Sequence, residues 1–346
     1  MIRDKKKIII IGCGWYGCHI ANILKDEFEV IMIEKNSDIF DNSSYYNQNR
    51  LHLGYHYCRN YNTRNLCHKN YKRFTEKYSN MIDYIDNNFY AISKDSILDF
   101  NTFLSIYRYE NFDFELIDNN IINNIDGKLI KVKENVINSD KAYHYFKKEL
   151  TDLNILFNTT VLKYSKEDDK INLYCSNNEL YECDILLDCT YNQLELSNKK
   201  YIYELTISLL YEKMDECEFN ALTIMDGKYS SLYPRDISNN LYTLTDVEFT
   251  PVITSVNFND ILEYNITENK IEEIKNNMEH KIKNFYSDFE KKFKYKGYFL
   301  SKKTKLLSGS DSRDITIEEL DKNIITVNCG KIYGIFEFED FIKKYI

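Results

Sequence analysis

The chain has 346 residues, of which 43% are hydrophobic, and its formal net charge at pH 7 is −9. This length predicts two lobes or one large α/β domain with insertions, because single domains usually contain about 100–200 residues. No block of basic residues is longer than Lys5–Lys7, so the acidic charge argues against a nucleic-acid partner.

Nine cysteines are scattered through the sequence without a CxxC pair or a zinc-type spacing. This pattern argues against a disulfide framework and against a metal site, and it predicts a reducing, cytoplasmic compartment. No run of about 18 apolar residues occurs, so we expect no spanning helix and no membrane partner. The protein is therefore expected to act on a small molecule, and its oligomeric state is left open.

The first predicted elements are a buried strand, a glycine-rich turn, a helix and a second strand ending in an acid: Lys7–Ile11, Gly12–Gly17, Cys18–Lys25 and Glu29–Glu34. The first strand is rich in β-branched residues, as strands buried on both faces of a parallel sheet are. The turn reads GxGxxG, and the acid lies 20 residues after its second glycine. This arrangement predicts a dinucleotide-binding unit.

Each part of this unit has a physical role. Gly12 permits the tight turn, Gly14 lets backbone amides approach a pyrophosphate, and Gly17 allows the helix to pack closely on the sheet. Glu34 would accept hydrogen bonds from ribose hydroxyls, which favours FAD or NAD over NADP. The alternative is that the glycines only form a tight turn in an α/β protein that binds no nucleotide.

Later segments predict a second domain that is inserted into the nucleotide-binding domain. Leu150–Tyr164 predicts a helix end followed by a strand, and Tyr181–Tyr191 predicts another buried strand. Residues 202–300 then predict long β segments with one charged helix near residues 267–293. Asn323–Gly330 is again a buried strand, and Lys331–Ile346 has helical spacing. An interrupted nucleotide fold is typical of flavin oxidases, whereas NAD-dependent dehydrogenases continue with further βα repeats.

The segment Asn47–Asn60, NQNRLHLGYHYCRN, concentrates polar and aromatic side chains. Arg50 and Arg59 are candidates to bind a phosphate, a flavin carbonyl or a substrate carboxylate through paired hydrogen bonds. His52 and His56 are candidate acid/base groups, and they lack a third metal ligand nearby. The alternatives are ordinary surface arginines and histidines buried with satisfied hydrogen bonds.

Thr223–Arg235 contains a DG turn and one of the two prolines, and it predicts a hairpin bounded by an edge strand. The alternative makes Tyr233 and Arg235 part of a substrate site.

Taken together, these pieces resemble the FAD-dependent oxidoreductases of the D-amino-acid oxidase type, which include glycine oxidase and sarcosine oxidase. The resemblance implies an α/β fold with a Rossmann-type, glutathione-reductase-like FAD-binding domain and an inserted mixed β-sheet substrate domain. We predict the FAD-binding domain at residues 1–85, 140–200 and 301–346, and the substrate domain at residues 86–139 and 201–300.

The resemblance also implies the site residues. The expected FAD contacts are Gly12, Gly14, Trp15, Tyr16, Gly17, Glu34, Lys35, Asn47, Gln48, Arg50, Leu51, Val161, Thr190, Gly330, Lys331 and Ile332. The expected catalytic residues are His52, His56, Arg59 and Arg313, with Ser310 a further candidate in the loop where this family often places active-site groups. A solvated loop is the alternative for residues 307–313.

The implied reaction is hydride transfer to FAD from a C–H beside an amine or hydroxyl of a small polar substrate. The block NQxRLHxGYHYxR is similar to that of uncharacterised flavoproteins found with polysaccharide genes, which implies a sugar or sugar nucleotide and a role in polysaccharide biosynthesis. An alternative function is that of a non-redox flavin mutase resembling UDP-galactopyranose mutase, because Gly54-Tyr55-His56 is similar to a Gly-aromatic-His segment of that family. A further alternative is a non-catalytic FAD-binding scaffold, because Tyr191 stands where the family has glycine.

Overall fold

The structure is a computed structural model that describes residues 5–307 and 314–345. They form two compact units. The first contains the described residues of Met1–Tyr45, Ser139–Tyr203 and Lys303–Ile346, and the second contains Tyr46–Asn138 and Glu204–Lys302. Within the described ranges, no helix is both long enough and apolar enough to cross a membrane.

The strands are, in chain order, β1 (Lys7–Ile11), β2 (Glu29–Ile33), β3 (Arg50–Leu51), β4 (Ile82–Asp83), β5 (Asn88–Ser93), β6 (Phe114–Ile117), β7 (Ile125–Val132), β8 (Asn135–Ile137), β9 (Asn154–Leu156), β10 (Val161–Glu167), β11 (Lys170–Cys175), β12 (Leu180–Cys183), β13 (Ile185–Asp188), β14 (Tyr201–Lys213), β15 (Ala221–Met225), β16 (Ser230–Asp236), β17 (Leu241–Asp246), β18 (Pro251–Ser255), β19 (Phe293–Leu306), β20 (Thr316–Asp321) and β21 (Ile324–Asn328). The α-helices are α1 (Trp15–Leu24), α2 (Tyr61–Lys77), α3 (Phe100–Tyr109), α4 (Ser139–Glu149), α5 (Phe258–Glu263), α6 (Glu268–Phe285), α7 (Phe289–Lys292) and α8 (Gly334–Ile342).

The first unit is built on a six-stranded sheet of order β20-β21-β13-β1-β2-β9. The pairs from β21 to β9 are parallel, and β20 is antiparallel to β21. β1 is central and its isoleucines are buried, as the sequence predicted. The chain turns from β1 to β2 on one side, while β13 pairs on the other side, so the order reverses at β1. In open α/β sheets, ligands bind at the carboxyl ends of strands beside such a reversal.

The second unit is built on a mixed sheet of order β18-β14-β17-β16-β15-β5-β7-β6, with β19 paired to β14. β15 runs parallel to β5, whereas β15 and β16, and β16 and β17, are antiparallel. Helix α6 contributes Ile271, Ile274, Met278 and Ile282 to the core of this sheet. These apolar residues recur at helical spacing, so one face of an otherwise charged helix is buried.

Four sequence expectations about elements and boundaries need correction. Residues 46–85, assigned to the first domain, lie in the second unit, because β3 and β4 both pair with β8. The strand expected at Tyr181–Tyr191 is two strands, β12 and β13, in different sheets. The long charged helix ends at Phe285. The hairpin of β15 and β16 lies inside its sheet, where Pro234 is tolerated because the β16–β17 register shifts just after it.

Candidate active site

The glycine turn between β1 and α1 has no room for side chains at two of its positions. Gly12 has φ of 93°, and a Cβ there would lie 2.9 Å from the carbonyl oxygen of Cys189, at the end of β13. A Cβ on Gly17 would lie 1.9 Å from the carbonyl oxygen of Gly12. The turn therefore closes tightly against both the neighbouring strand end and its own helix, as the sequence predicted.

Helix α1 begins at Trp15, with Gly14 as its N-cap. Ser44 covers this end, because its Oγ accepts a hydrogen bond of 2.9 Å from the Trp15 amide. The Trp15 indole is buried against Phe40 and Phe146, with ring centroids 5.3 Å apart in each pair. The Trp15 ring is therefore packed in the interior and is not presented at the helix terminus.

Glu34 follows β2 and is buried beside the turn. Its carboxylate accepts hydrogen bonds from the amides of Cys13 at 2.7 Å and Asn36 at 3.0 Å. A carboxylate has about four acceptor positions, so acceptor capacity remains for ribose hydroxyls. Lys35, the next residue, is exposed and its Nζ contacts Gln193.

The end of β13 forms a compact polar turn. Asp188 is buried and accepts hydrogen bonds from the Thr190 amide at 2.9 Å and the Thr190 hydroxyl at 2.6 Å. Burial raises the pKa of Asp188, although these hydrogen bonds oppose the shift. Tyr191 has φ of 63°, in the left-handed region that favours glycine. The backbone of this turn therefore keeps the conformation that a glycine would adopt, with tyrosine in its place.

The C-terminal turn follows β21 and leads to a helix that begins later than expected. Gly330, Lys331 and Ile332 form the turn, and α8 begins at Gly334 because the preceding residues make short turn hydrogen bonds. The Tyr16 hydroxyl donates to the Lys331 carbonyl at 2.6 Å. This bond ties α1 to the C-terminal turn. Burial raises the pKa of Tyr16 well above its ordinary value, so its phenol stays protonated as a donor.

The first unit thus brings most of the predicted cofactor residues to one end of its sheet. Gly12 and Thr190 lie at the ends of adjacent strands, Glu34 is bonded to the glycine turn, and the turn at Gly330 is tied to α1. Val161 begins β10 and is buried with residues of β1 in a shared apolar cluster. A closely approachable turn at a helix N-terminus and a carboxylate acceptor are the groups that a pyrophosphate and a ribose require, so these residues fit FAD.

The predicted site residues of the second unit lie on a loop around β3. Gln48 donates through Nε2 to the carbonyls of Ser231 and Thr243 at 3.3 and 3.4 Å. The Asn47 carbonyl accepts a bond of 3.2 Å from Arg235. Leu51 is fully buried. These contacts fix the start of the loop on the β16 and β17 side of the large sheet.

Arg50 is buried without a carboxylate partner in the part of the chain that the structure describes. Its Nε donates to Gln48 at 2.8 Å and its Nη1 to the Thr223 hydroxyl at 2.8 Å, while the guanidinium lies 4.3 Å from the Tyr233 ring centroid. Its Nη2 makes no hydrogen bond to the described residues. A buried cation with neutral neighbours and unused N–H groups is suited to an anionic ligand group.

His52 and His56 do come together, with ring centroids 5.5 Å apart and Tyr57 beside both. The Nδ1 of His52 lies 3.7 Å from the buried carboxylate of Glu134. Glu134 also accepts the Tyr90 hydroxyl at 2.6 Å. The sequence singled out the two histidines, but it gave no signal for Glu134, which lies about 80 residues further along the chain.

The end of the loop is held by Arg64, which sequence reasoning missed. Its Nη1 donates to the carbonyls of Tyr57 at 2.8 Å and Cys58 at 3.0 Å, and its Nε donates to Glu110 at 2.7 Å. Arg59 instead pairs with Asp226 at 2.7 Å. Tyr233 is fully buried, and Arg313 and Ser310 lie outside the described residues.

Replacing Arg64 with alanine is expected to lower the free energy of unfolding by about 3 kcal/mol or more, because its side chain is 6% exposed and it satisfies both Glu110 and two loop carbonyls. Arg59→Ala is the comparison variant: its side chain is 44% exposed, although that of its partner Asp226 is only 9% exposed, so we expect a smaller loss of about 1–2 kcal/mol. Urea denaturation of both variants checks this. Equal losses would contradict the assigned roles.

The fold and the glycine site define an FAD-binding oxidoreductase of the glutathione-reductase-like Rossmann type. No protein-family model matches the sequence. The chain is 32% identical to the FAD-dependent monooxygenase FPY4 of Fusarium mangiferae, over 97% of this chain and 90% of that protein. It is 25% identical to the FAD-dependent monooxygenase kojA of Aspergillus flavus, over 96% and 84%. The chain therefore belongs to the FAD-dependent oxidoreductases that include FPY4, and FAD is its cofactor.

Solved structures agree on the fold. Glycine oxidase from Geobacillus kaustophilus matches with a TM-score of 0.72 at 10% identity, covering 95% of this chain and 91% of that one. The L-alpha-glycerophosphate oxidase of Mycoplasma pneumoniae with FAD bound matches with a TM-score of 0.74 at 13% identity, covering 95% and 91%. The predicted fold class is confirmed, and the resemblance to flavin oxidases such as glycine oxidase holds at the level of the fold.

Proposed function

We propose that this enzyme oxidises a C–H bond beside a hydroxyl or amine of a small polar substrate, with FAD as the hydride acceptor. The observation that carries the proposal is the pair of groups at β3. Arg50 is a buried cation with unused donors, and two residues later His52 lies beside a buried carboxylate. Oxidation of an alcohol or amine needs a group that binds and orients the substrate and a group that accepts its O–H or N–H proton.

In this proposal the two units have separate tasks. The glycine turn, Glu34 and the strand-end turns of the first unit bind FAD, which supplies the two-electron chemistry. Arg50 binds an anionic or strongly polar group of the substrate, and His52 accepts a proton. The substrate class we propose is a sugar or sugar nucleotide, supported by the similarity of the block around β3 to flavoproteins found with polysaccharide genes. The cytoplasmic location remains a prediction from the cysteines.

A second candidate is oxygen insertion, because the curated relatives are named FAD-dependent monooxygenases. That reaction consumes O₂ and needs an external electron donor, such as NADH or NADPH, to reduce the flavin before oxygen reacts. One oxygen atom would then enter the product, and the other would leave as water.

Anaerobic absorbance spectroscopy separates these candidates. Purified protein is titrated with sugars, sugar nucleotides, hydroxy acids and amines without oxygen, and the visible flavin bands are followed. Bleaching by one class, with the oxidised product identified by mass spectrometry, supports the proposed oxidation. Bleaching only by NADH or NADPH, with ¹⁸O from ¹⁸O₂ in the product, supports the monooxygenase and overturns the proposal. A substrate isomerised by enzyme whose flavin was first reduced with dithionite would instead indicate a mutase.

A further inference from the structure

Glu134 is a fully buried carboxylate that binds the histidine loop by its backbone. One oxygen accepts hydrogen bonds from three consecutive amides, those of Leu53 at 2.6 Å, Gly54 at 3.0 Å and Tyr55 at 3.3 Å. Removing a carboxylate that satisfies several buried donors leaves those donors unpaired, which is costly. Glu134 therefore fixes the backbone between His52 and His56.

The second oxygen of Glu134 faces two side chains. It accepts the Tyr90 hydroxyl at 2.6 Å, and it lies 3.7 Å from Nδ1 of His52. Nδ1 is therefore the ring nitrogen that faces the carboxylate, at an ion-pair distance that is too long for a hydrogen bond. The His52 side chain is 14% exposed, whereas that of Glu134 is 0% exposed.

We propose that Glu134 is a positioning residue that holds the neutral His52 ring with its proton on Nδ1, so that Nε2 can accept the proton of the substrate. This inference rests on the proposed function and extends it to a residue that the sequence did not indicate. The same logic, a buried carboxylate orienting an imidazole, sets the tautomer in other acid/base sites.

The electrostatics around the pair support this role. Burial by itself would raise the pKa of Glu134, but interactions with His52, Tyr90 and the Gly54 amide outweigh it and lower that pKa, so the carboxylate stays ionised. The coupling between two titrating groups is reciprocal, so removing the charge of Glu134 is expected to act on His52 as well.

Other titratable or charged groups near the pair come from several elements: Arg50, Tyr55, His56, Tyr57, Tyr71, Tyr90, Tyr107 and Tyr233. For Tyr55, Tyr71, Tyr90, Tyr107 and Tyr233, burial raises the pKa of the phenol, so these side chains are neutral near pH 7. The charge of Glu134 lies beside the His52 ring, and the charge of Arg50 lies over the Tyr233 ring.

Oxidation of an alcohol or amine at this site would remove one hydride and one proton from the substrate. FAD, when bound, would accept the hydride of the substrate C–H bond, and the substrate would lose two electrons. Its O–H or N–H proton moves to Nε2 of His52, and a C=O or C=N bond remains in the product. His52 then releases the proton to solvent.

Nuclear magnetic resonance of protein labelled with ¹³C,¹⁵N-histidine tests the proposal without a substrate. His52→Gln assigns the His52 signal among the six histidines. In the wild-type protein, long-range ¹H–¹⁵N spectra at high pH are expected to show the Nδ1–H tautomer of His52. A pH titration of Glu134→Gln is expected to move the His52 midpoint to lower pH, whereas Tyr90→Phe, which keeps the carboxylate, is expected to leave it close to wild type.

An Nε2–H tautomer in the wild-type protein, or equal midpoints in wild type and Glu134→Gln, would overturn the proposal. The tautomer measurement does not depend on Glu134→Gln, so it decides even if that variant does not fold. Flavin bleaching measured separately distinguishes the two failures. A correct tautomer with no bleaching by any alcohol or amine would refute the proposed function only, and bleaching with the wrong tautomer would refute the role of Glu134 only.

Discussion

Replacing Gly17 with alanine should prevent the chain from forming a folded, FAD-containing protein. The added Cβ would lie 1.9 Å from the carbonyl oxygen of Gly12 and 3.1 Å from its carbonyl carbon. Both contacts are to backbone, so relief requires moving α1 away from the turn. Overpacking a core typically costs about 1–3 kcal/mol, and a backbone clash this short should cost more. Circular dichroism on heating and the flavin content of the purified protein measure the loss.

Gly14→Ala provides the matched control for this clash. Its added Cβ would meet the Oγ of Ser44 at 2.6 Å, which is the end of a rotatable side chain. We therefore expect a folded protein with a thermal midpoint near that of wild type, but weaker FAD binding, because the backbone approaches the pyrophosphate at this position. A Gly17→Ala variant with a wild-type midpoint and full flavin content would contradict the tight turn.

Glu34→Ala should weaken FAD binding by about 100-fold or more. The predicted role of Glu34 is to accept charge-assisted hydrogen bonds from the ribose, which the variant would lose. Each such bond contributes about 1.5–3 kcal/mol, and a factor of ten in affinity corresponds to about 1.4 kcal/mol. The variant also leaves the amides of Cys13 and Asn36 without their acceptor, so the glycine turn is less well fixed. Titration of apoprotein with FAD, followed by quenching of flavin fluorescence, gives the Kd.

Glu29→Ala is the control for charge alone. Glu29 begins the same strand and is exposed, where it pairs with Lys7 at 3.4 Å. Because that pair is exposed, its removal should change stability by less than about 1 kcal/mol and leave the Kd for FAD unchanged. Equal Kd values for Glu34→Ala and wild type would show that Glu34 supports only the turn.

The monooxygenase names of the curated relatives and the oxidase names of the structural neighbours describe two fates of a reduced flavin. In one, hydride comes from the substrate, and in the other it comes from an external donor before oxygen reacts. The tautomer of His52 bears on this choice, because an imidazole that carries its proton on Nδ1 accepts a proton at Nε2. The titration without oxygen and the tautomer measurement together decide which reaction the chain performs.

The nucleotide-binding unit was predictable from sequence because it is local. β1, the glycine turn, α1 and β2 lie within 27 residues, from Lys7 to Ile33, and each glycine has a steric role that can be stated from spacing alone. The last strand of this unit was also predictable from the sequence, since β21 is a short, fully buried and largely apolar strand. The single strand predicted over Tyr181–Tyr191 was wrong, because an apolar run does not show that β12 and β13 join different sheets.

Only the tertiary structure decided where the loop around β3 belongs and what holds it. Residues 46–85 join the second unit through pairing with β8, more than 80 residues after β3, and such pairing leaves no local pattern. Glu134 and Arg64 bind backbone groups of the loop, and any short segment can supply those groups. Sequence by itself therefore determined the cofactor and its glycine site, where local spacing sets the geometry, and the fold decided the environment of His52, which depends on contacts between distant residues.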